Sequence, residues 1–270
     1  MNIDRFHSNM VLSADRRQLA IADMLRSRDF ISVEELAAHF AVATQTIRRD
    51  LVALCDQGVA RRRHGGIERL TRSGNLSFGD RRVLHREAKQ TIAASVASHV
   101  RDGESIALGI GTTTQFVAEA LLSHRDLKIV TNNLPIAMMV GQNSDFSLAI
   151  AGGAVRGGDL DVCGSTVESF FAAYKVDIAI FGVGGIDGDG SLLDFSEDEV
   201  RAREAMLRHC RRSYLVLDSS KFARPAHVHG GRIDQVTAVF CEAEPPAAIR
   251  RILDQSGVRF VNSAALAARP

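Results

Sequence analysis

No two cysteines of this 270-residue chain are neighbours: Cys55, Cys163, Cys210 and Cys241 stand far apart. That spacing argues against a disulfide framework or a zinc site and suits a reducing cytoplasm. No run of about 18 apolar residues occurs, so no membrane-spanning helix is expected and the membrane is not an expected partner. The first residues lack a basic segment followed by an apolar one, so secretion is not expected. The phosphate-loop pattern Gly-Lys-Ser/Thr is missing. The third glycine of a dinucleotide fingerprint is missing too, since Thr114 stands there, and this disfavours NAD. Asp187-Gly188-Asp189-Gly190 resembles the start of a calcium loop, but Leu192 occupies the position that needs glycine, so a polar turn is the better reading. His227 and His229 are the one histidine pair at close spacing. No metal, cofactor or catalytic residue is expected.

What is present fits a globular protein with a substantial core. The chain is 46% hydrophobic and 24% charged, and its length suits two domains. Net charge is +1 but uneven: residues 1–72 carry 12 arginines, no lysine and nine acids. Within that region Arg48, Arg49, Arg61, Arg62 and Arg63 cluster, all of the type suited to bidentate contacts with bases and phosphates.

The pattern predicts a first helix over 16–28, capped by Ser13 or Asp15, and an extended piece over 30–33. A second helix over 34–40 has acids in its first turn, and a third is capped by Thr44 and ended by Gly58. On the third helix Ile47, Leu51 and Leu54 stand at i, i+4 and i+7 and must face a core. Thr44, Gln45, Thr46, Arg48 and Arg49 are thereby turned to solvent at the helix N-terminus, where a recognition helix meets base edges. Beyond Gly58, residues 59–62 and 67–70 form two short strands around a His64-Gly65-Gly66 turn. This makes a wing tipped by Arg61, Arg62, Arg63 and His64.

These elements are Val33-Glu34-Glu35-Leu36-Ala37, Thr46-Ile47-Arg48-Arg49-Asp50-Leu51 and Arg62-Arg63-His64-Gly65-Gly66. In this order they resemble the winged helix-turn-helix of the DeoR family of bacterial transcription regulators.

A polar stretch over 73–80 reads as a linker between a DNA-binding domain (1–72) and a second domain (81–270). The second domain opens with a helix over 81–100. Strands are then expected over 105–110, 127–131, 146–151, 177–183, 214–217, 236–241 and 259–261. Helices are expected over 114–122, 135–140, 166–174, 197–210 and 246–255. Such alternation is the signature of a parallel sheet wrapped by helices, which binds ligands beyond the carboxyl ends of its strands. Polar loops follow those ends. Gly111, Thr112, Thr113 and Thr114 form an anion site at a helix N-terminus. Thr131, Asn132 and Asn133 follow the second strand, and Gly152, Gly153 and Arg156 the third. Asp187 follows the fourth, and Asp218, Ser219, Ser220 and Lys221 the fifth. Lys221, one of four lysines, is suited to a phosphate. Together these groups suit a phosphorylated sugar or polyol.

The loops also look like motifs of the DeoR sensor domain, which is related in fold to ribose-5-phosphate isomerase. The fold expected is therefore an α+β winged helix-turn-helix followed by an α/β, parallel-sheet sensor domain. The resemblance implies a repressor of a sugar- or polyol-phosphate catabolic operon, released from operator DNA by its effector. Residues 127–133, 190–195 and 199–201 look closest to family members responding to glycerol 3-phosphate. A homodimer or homotetramer is expected, since one winged module reads few bases. The alternative is a sugar-phosphate isomerase-like enzyme with an appended DNA-binding module. Its carboxylates would come from Asp187, Asp194, Glu197, Asp198 and Glu199, though that run also suits the N-terminal turn of a helix.

Overall fold

The computed structural model describes residues 14–28, 30–56, 60–69 and 78–267. Ser13, Gly58 and residues 73–77 of the expected linker lie outside the described residues. The chain divides into two compact units, with the boundary between Thr71 and Arg72.

The first unit runs α1 (Ala14–Ser27), β1 (Phe30–Ser32), α2 (Val33–Phe40), α3 (Thr44–Asp56), β2 (Ala60–Arg63) and β3 (Gly66–Arg69). The Ser32 hydroxyl accepts from the Glu35 backbone N–H at 3.1 Å and starts α2. Ala41, in the left-handed region at φ 53°, ends it. Ile21, Leu25, Leu36, Ile47, Leu51, Leu54 and Ile67 make a closed core. Each contributes about 1.5–3 kcal/mol by burial. The turn glycines have separate tasks. Gly65 has φ +80° and makes the turn. Gly66 instead lies in β3, where a Cβ would collide with the Ile31 carbonyl and come within 2.7 Å of the Phe30 ring. β3 pairs with both β2 and β1, so the wing joins a three-stranded sheet anchored ahead of α2.

The second unit begins with α4 (Phe78–Val83) and α5 (Arg86–Ala97). The single helix expected over 81–100 is thus broken, because His85 adopts φ 52°. The break is held by Lys89, whose buried ammonium donates to the Arg81 carbonyl and, at 2.5 Å, to that of Leu84. These carbonyls close the last turn of α4, where a cation is favoured.

There follow β4 (Ser105–Leu108), α6 (Thr112–Leu121), β5 (Lys128–Thr131), α7 (Leu134–Val140), β6 (Ser147–Ile150), β7 (Ala154–Arg156) and β8 (Asp161–Cys163). Next come α8 (Ser165–Ala172), β9 (Val176–Phe181), β10 (Gly185–Ile186), β11 (Ser191–Asp194), α9 (Glu197–Arg208) and β12 (Cys210–Val216). The last elements are β13 (Val228–Arg232), β14 (Ala238–Cys241), α10 (Ala247–Ser256), β15 (Arg259–Asn262) and α11 (Ser263–Ala267). Seven strands form a sheet in the order β15-β14-β12-β9-β4-β5-β6, and every pairing is parallel. All seven expected strands lie in it. Side chains alternate between two cores. Ile106, Leu108, Ile178, Ile180 and Tyr214 meet α5, α6 and α7 on one face. Ala107, Ala179, Phe181 and Leu215 meet α8, α9 and α10 on the other.

From β4 the chain winds outward through β5 and β6, then returns to place β9 on the other side of β4. The order therefore reverses between β4 and β9, and a crevice opens beyond their carboxyl ends. Two features were not expected from the sequence: an antiparallel β7–β8 hairpin and an antiparallel β10–β11–β13 sheet.

Candidate nucleic-acid interface and effector cleft

On α3, Ile47, Asp50, Leu51 and Leu54 are buried, while Thr44, Gln45, Arg48 and Arg49 are exposed and Thr46 is half-buried. Asp50 is the residue that sequence reasoning passed over. Its carboxylate accepts from Arg17 Nε at 2.5 Å and Nη2 at 3.1 Å, and from the Gln18 amide at 3.2 Å. Both Arg17 and Asp50 are at most 5% exposed, so this pair fixes α3 against α1 inside the unit. In the wing, Arg61, Arg62, Arg63 and His64 are all exposed. They are not equivalent. Glu68 pairs with Arg61 and lies 3.5 Å from Arg63, which also covers the Phe30 ring. Arg62 alternates to the other strand face, that of Ala60 and Ile67. It has no ion-pair partner among the described residues; nor do Arg48 and Arg49. Among the described arginines of α3 and the wing, these three have charges not offset by an acid.

The second site is a cleft, partly open to solvent, at the carboxyl ends of β4, β9 and β12. Gly111, at φ +123°, turns the chain from β4 into α6. Thr112, Thr113 and Thr114 form the first turn of that helix and line the cleft. The N–H groups of a first turn have no partner within the helix and attract anions. The Thr114 hydroxyl is engaged, donating to the Gly111 carbonyl at 2.7 Å.

Arg81, Arg156, Lys221 and Arg224 line the same cleft, with Asp159, Asp194 and Glu199. Arg156 holds Asp161 at 2.9 and 3.0 Å and pairs with Glu199. Arg81 pairs with Asp159. Arg224 donates to the Gly184 carbonyl at 2.9 Å and stacks on Phe195. Lys221 has no hydrogen-bond acceptor for its ammonium among the described residues. Burial, with Arg224 beside it, pushes Lys221 down to about 7 despite the pull of Asp218.

Several loop residues expected in the site serve the fold instead. Thr131 donates to the Leu108 carbonyl at 2.7 Å and ties β5 to β4. Asn133 caps α7 through the Ile136 N–H at 3.1 Å. Gly152 and Gly153 do not line the cleft; a Cβ on Gly153 would sit 2.7 Å from Thr166 Oγ1, so that glycine permits packing. Asp187 is exposed in the β10–β11 turn, bonded to the Gly188 N–H. Asp218 stands behind the cleft and caps the short turn 219–221. Burial works against its charge, yet Lys221, the Ser220 hydroxyl and Lys89 hold its carboxyl below the usual range. Ser219 is exposed with its N–H on Glu242, and the Ser220 hydroxyl is spent on Asp218. Asn132 lines a lobe adjoining the cleft.

Conversely, Arg81, Asp194, Glu199 and Arg224 were not placed in the effector site from sequence. Asp194 holds the Gly184 N–H at 2.7 Å and pairs with Arg203. Of the five carboxylates that suit a helix first turn, Glu197, Asp198 and Glu199 form that of α9, which Ser196 caps and where Glu197 pairs with Arg201; Asp187 and Asp194 lie outside it. Glu199 belongs to that turn and also faces the cleft.

Residues 17–73 match the model of the DeoR-like helix-turn-helix domain, and residues 84–243 match that of the DeoR C-terminal sensor domain. The chain belongs to the DeoR family of transcription regulators. Among its DeoR relatives is the glycerol-3-phosphate regulon repressor of Escherichia coli, 40% identical over 91% of this chain and 97% of that protein. The repressor of that name from Haemophilus influenzae is 37% identical over 88% and 93%. The HTH-type transcriptional repressor CsqR of Escherichia coli is 36% identical over 93% and 96%. A solved ribose 5-phosphate isomerase from Plasmodium falciparum is similar at a TM-score of 0.37 and 16% identity, over 50% of this chain and 52% of its own.

Proposed function

We propose that this DeoR protein is a cytoplasmic, DNA-binding repressor of a polyol-phosphate catabolic operon, released by a phosphorylated metabolite, with glycerol 3-phosphate first among candidates. The observation that carries the reading is the meeting of Lys221 with the Thr112–Thr114 turn of α6. An ammonium with no hydrogen-bond acceptor among the described residues and a helix N-terminus line one space, as a phosphate requires. The relatives named for the glycerol-3-phosphate regulon support the polyol. On the isomerase reading a carboxylate must stand ready to take a proton. Asp194 and Glu199 are each engaged by an arginine, which favours binding over turnover.

In this reading two copies present their α3 helices to matched half-sites as a homodimer or homotetramer, with Gln45, Arg48 and Arg49 at base edges and Arg62 at phosphate. Arg48→Ala is expected to cost about 1–3 kcal/mol of operator affinity and to relax preference at one base pair. Arg62→Ala is expected to weaken all sequences alike and to lower the salt slope by about one counter-ion. Fluorescence anisotropy against operator and scrambled DNA at several salt concentrations separates the two.

The effector is tested by the same anisotropy and by thermal melting, with sn-glycerol 3-phosphate, hexose phosphates and inorganic phosphate. An effector at 100 times its dissociation constant adds about 2.7 kcal/mol to the folded state. It also releases operator to the extent that it prefers the unbound conformation. If no phosphate compound shifts either the melting temperature or operator affinity, the reading fails.

A further inference from the structure

The cleft continues into a second, smaller lobe between the ends of β4 and β9 and helix α9. The two spaces share Ile110, Gly182, Asp194 and Glu199. Two of the residues lining this lobe each carry a buried polar atom without a partner among the described residues: Asn132 Oδ1, an acceptor, and Arg203 Nε, a donor. Neither side chain is loose. The Asn132 amide nitrogen donates to the Val162 carbonyl at 3.0 Å. The Arg203 terminal nitrogens serve Asp194 and, at 2.8 Å, the Gly230 carbonyl. Asn132 is 2% exposed and Arg203 5%.

A buried donor or acceptor left unmet is destabilising, so a pair of opposite character beside a ligand cleft is a complement awaiting a match. A second phosphate does not supply it, because a phosphate dianion accepts hydrogen bonds but has no proton to donate to Asn132 Oδ1. An ammonium does not supply it either, because it cannot accept from Arg203 Nε. An alcohol hydroxyl both donates and accepts, and is neutral. The apolar floor of Phe181, Ala202 and Met206 suits the carbon chain that bears it.

We infer that this lobe is the hydroxyl-reading subsite of the effector, in which Asn132 and Arg203 select a polyol over a plain alkyl chain. The inference rests on the proposed seating of phosphate by α6 and Lys221. It assigns specificity to residues remote from that charge.

The test compares sn-glycerol 3-phosphate with propyl phosphate, which has the same three carbons and phosphate but no hydroxyls. Calorimetry on the full-length protein is expected to give at least a tenfold preference for the polyol. In Arg203→Lys, which keeps the positive charge but loses the Nε donor, the preference is expected to fall below threefold. Because Arg203 also braces Asp194, a second variant, Ala202→Leu, fills the lobe from α9 and is expected to remove the preference as well. Melting temperatures establish that both variants are folded. Equal binding of the two compounds by the unaltered protein overturns the subsite and leaves the phosphate seat standing. A preference that survives in both folded variants also overturns it. Binding of neither compound overturns the phosphate seat and the subsite together.

Discussion

Asp50→Ala is expected to abolish operator binding while leaving the second unit folded. The substitution removes the carboxylate that accepts from Arg17 Nε and Nη2 inside the first unit. Breaking a buried pair from one side costs about 3–5 kcal/mol, because the remaining charge stays desolvated. Stabilities of whole domains are typically only about 5–15 kcal/mol, and small domains stand at the low end. Asp50 itself touches no DNA in this account, since it points away from the Arg48 and Arg49 surface. Circular dichroism melting is expected to show an early transition carrying the helix content of the first unit, followed by an unchanged second transition. Paired replacement of Arg17 and Asp50 by Met and Leu is expected to recover much of the loss, since apolar residues of similar volume tolerate such sites. An Asp50→Ala protein that binds operator with native affinity contradicts this account of α3.

Lys221→Ala is expected to blunt operator release at pH 7 without weakening operator binding in the absence of effector. A hydrogen bond to a charged group contributes about 1.5–3 kcal/mol, or roughly 10- to 100-fold in effector affinity. The pH dependence is more diagnostic. Phosphate monoesters take their second charge near pH 6, and Lys221 loses its proton near 7. Effector affinity is therefore expected to be greatest between these values. Above it, affinity falls by up to about tenfold per pH unit, as protonation of Lys221 becomes coupled to binding. Lys221→Arg stays charged and is expected to flatten that alkaline limb. The fall does not report unfolding, because the stability trend has the opposite sign. The folded-state value lies below the ordinary 10.5, so between about 7 and 10.5 the unfolded chain holds more protons. Stability of the effector-free protein therefore rises with pH across that window. Lys89, pushed down to about 8 by burial, adds in the same direction.

The seven strands of the large sheet were legible because strands covered on both faces are short, nearly continuous apolar runs. Val176–Phe181 is such a run. The β10–β11–β13 sheet was not, because β13 reads Val-His-Gly-Gly-Arg, with no alternation and two glycines. The helix break at His85 was invisible, since histidine at positive φ carries no local signal and is held by Lys89 from the next helix. In the cleft, Thr112–Thr114 and Lys221 were legible because they follow strand ends. Arg81 and Arg224 were not, because each reaches the cleft from a segment that enters through tertiary packing. Thr131 and Asn133 show the converse error. Polar residues at a strand end look like ligand groups, yet both are buried, with the Thr131 hydroxyl donating to the Leu108 carbonyl and the Asn133 side-chain oxygen capping α7. A useful signal would have been an i, i+5 pair such as Asp194 and Glu199, which brackets a helix cap and returns two acids to one place.

The close approach of Gly66 to Ile31 has an evolutionary corollary. The wing is stitched to the strand that launches α2, so its tip is tied to the body of the unit that carries α3. If the proposed reading of bases by Gln45, Arg48 and Arg49 holds, descendants of this protein acquire new operators by exchanging those side chains rather than by sliding the wing to a different span of DNA.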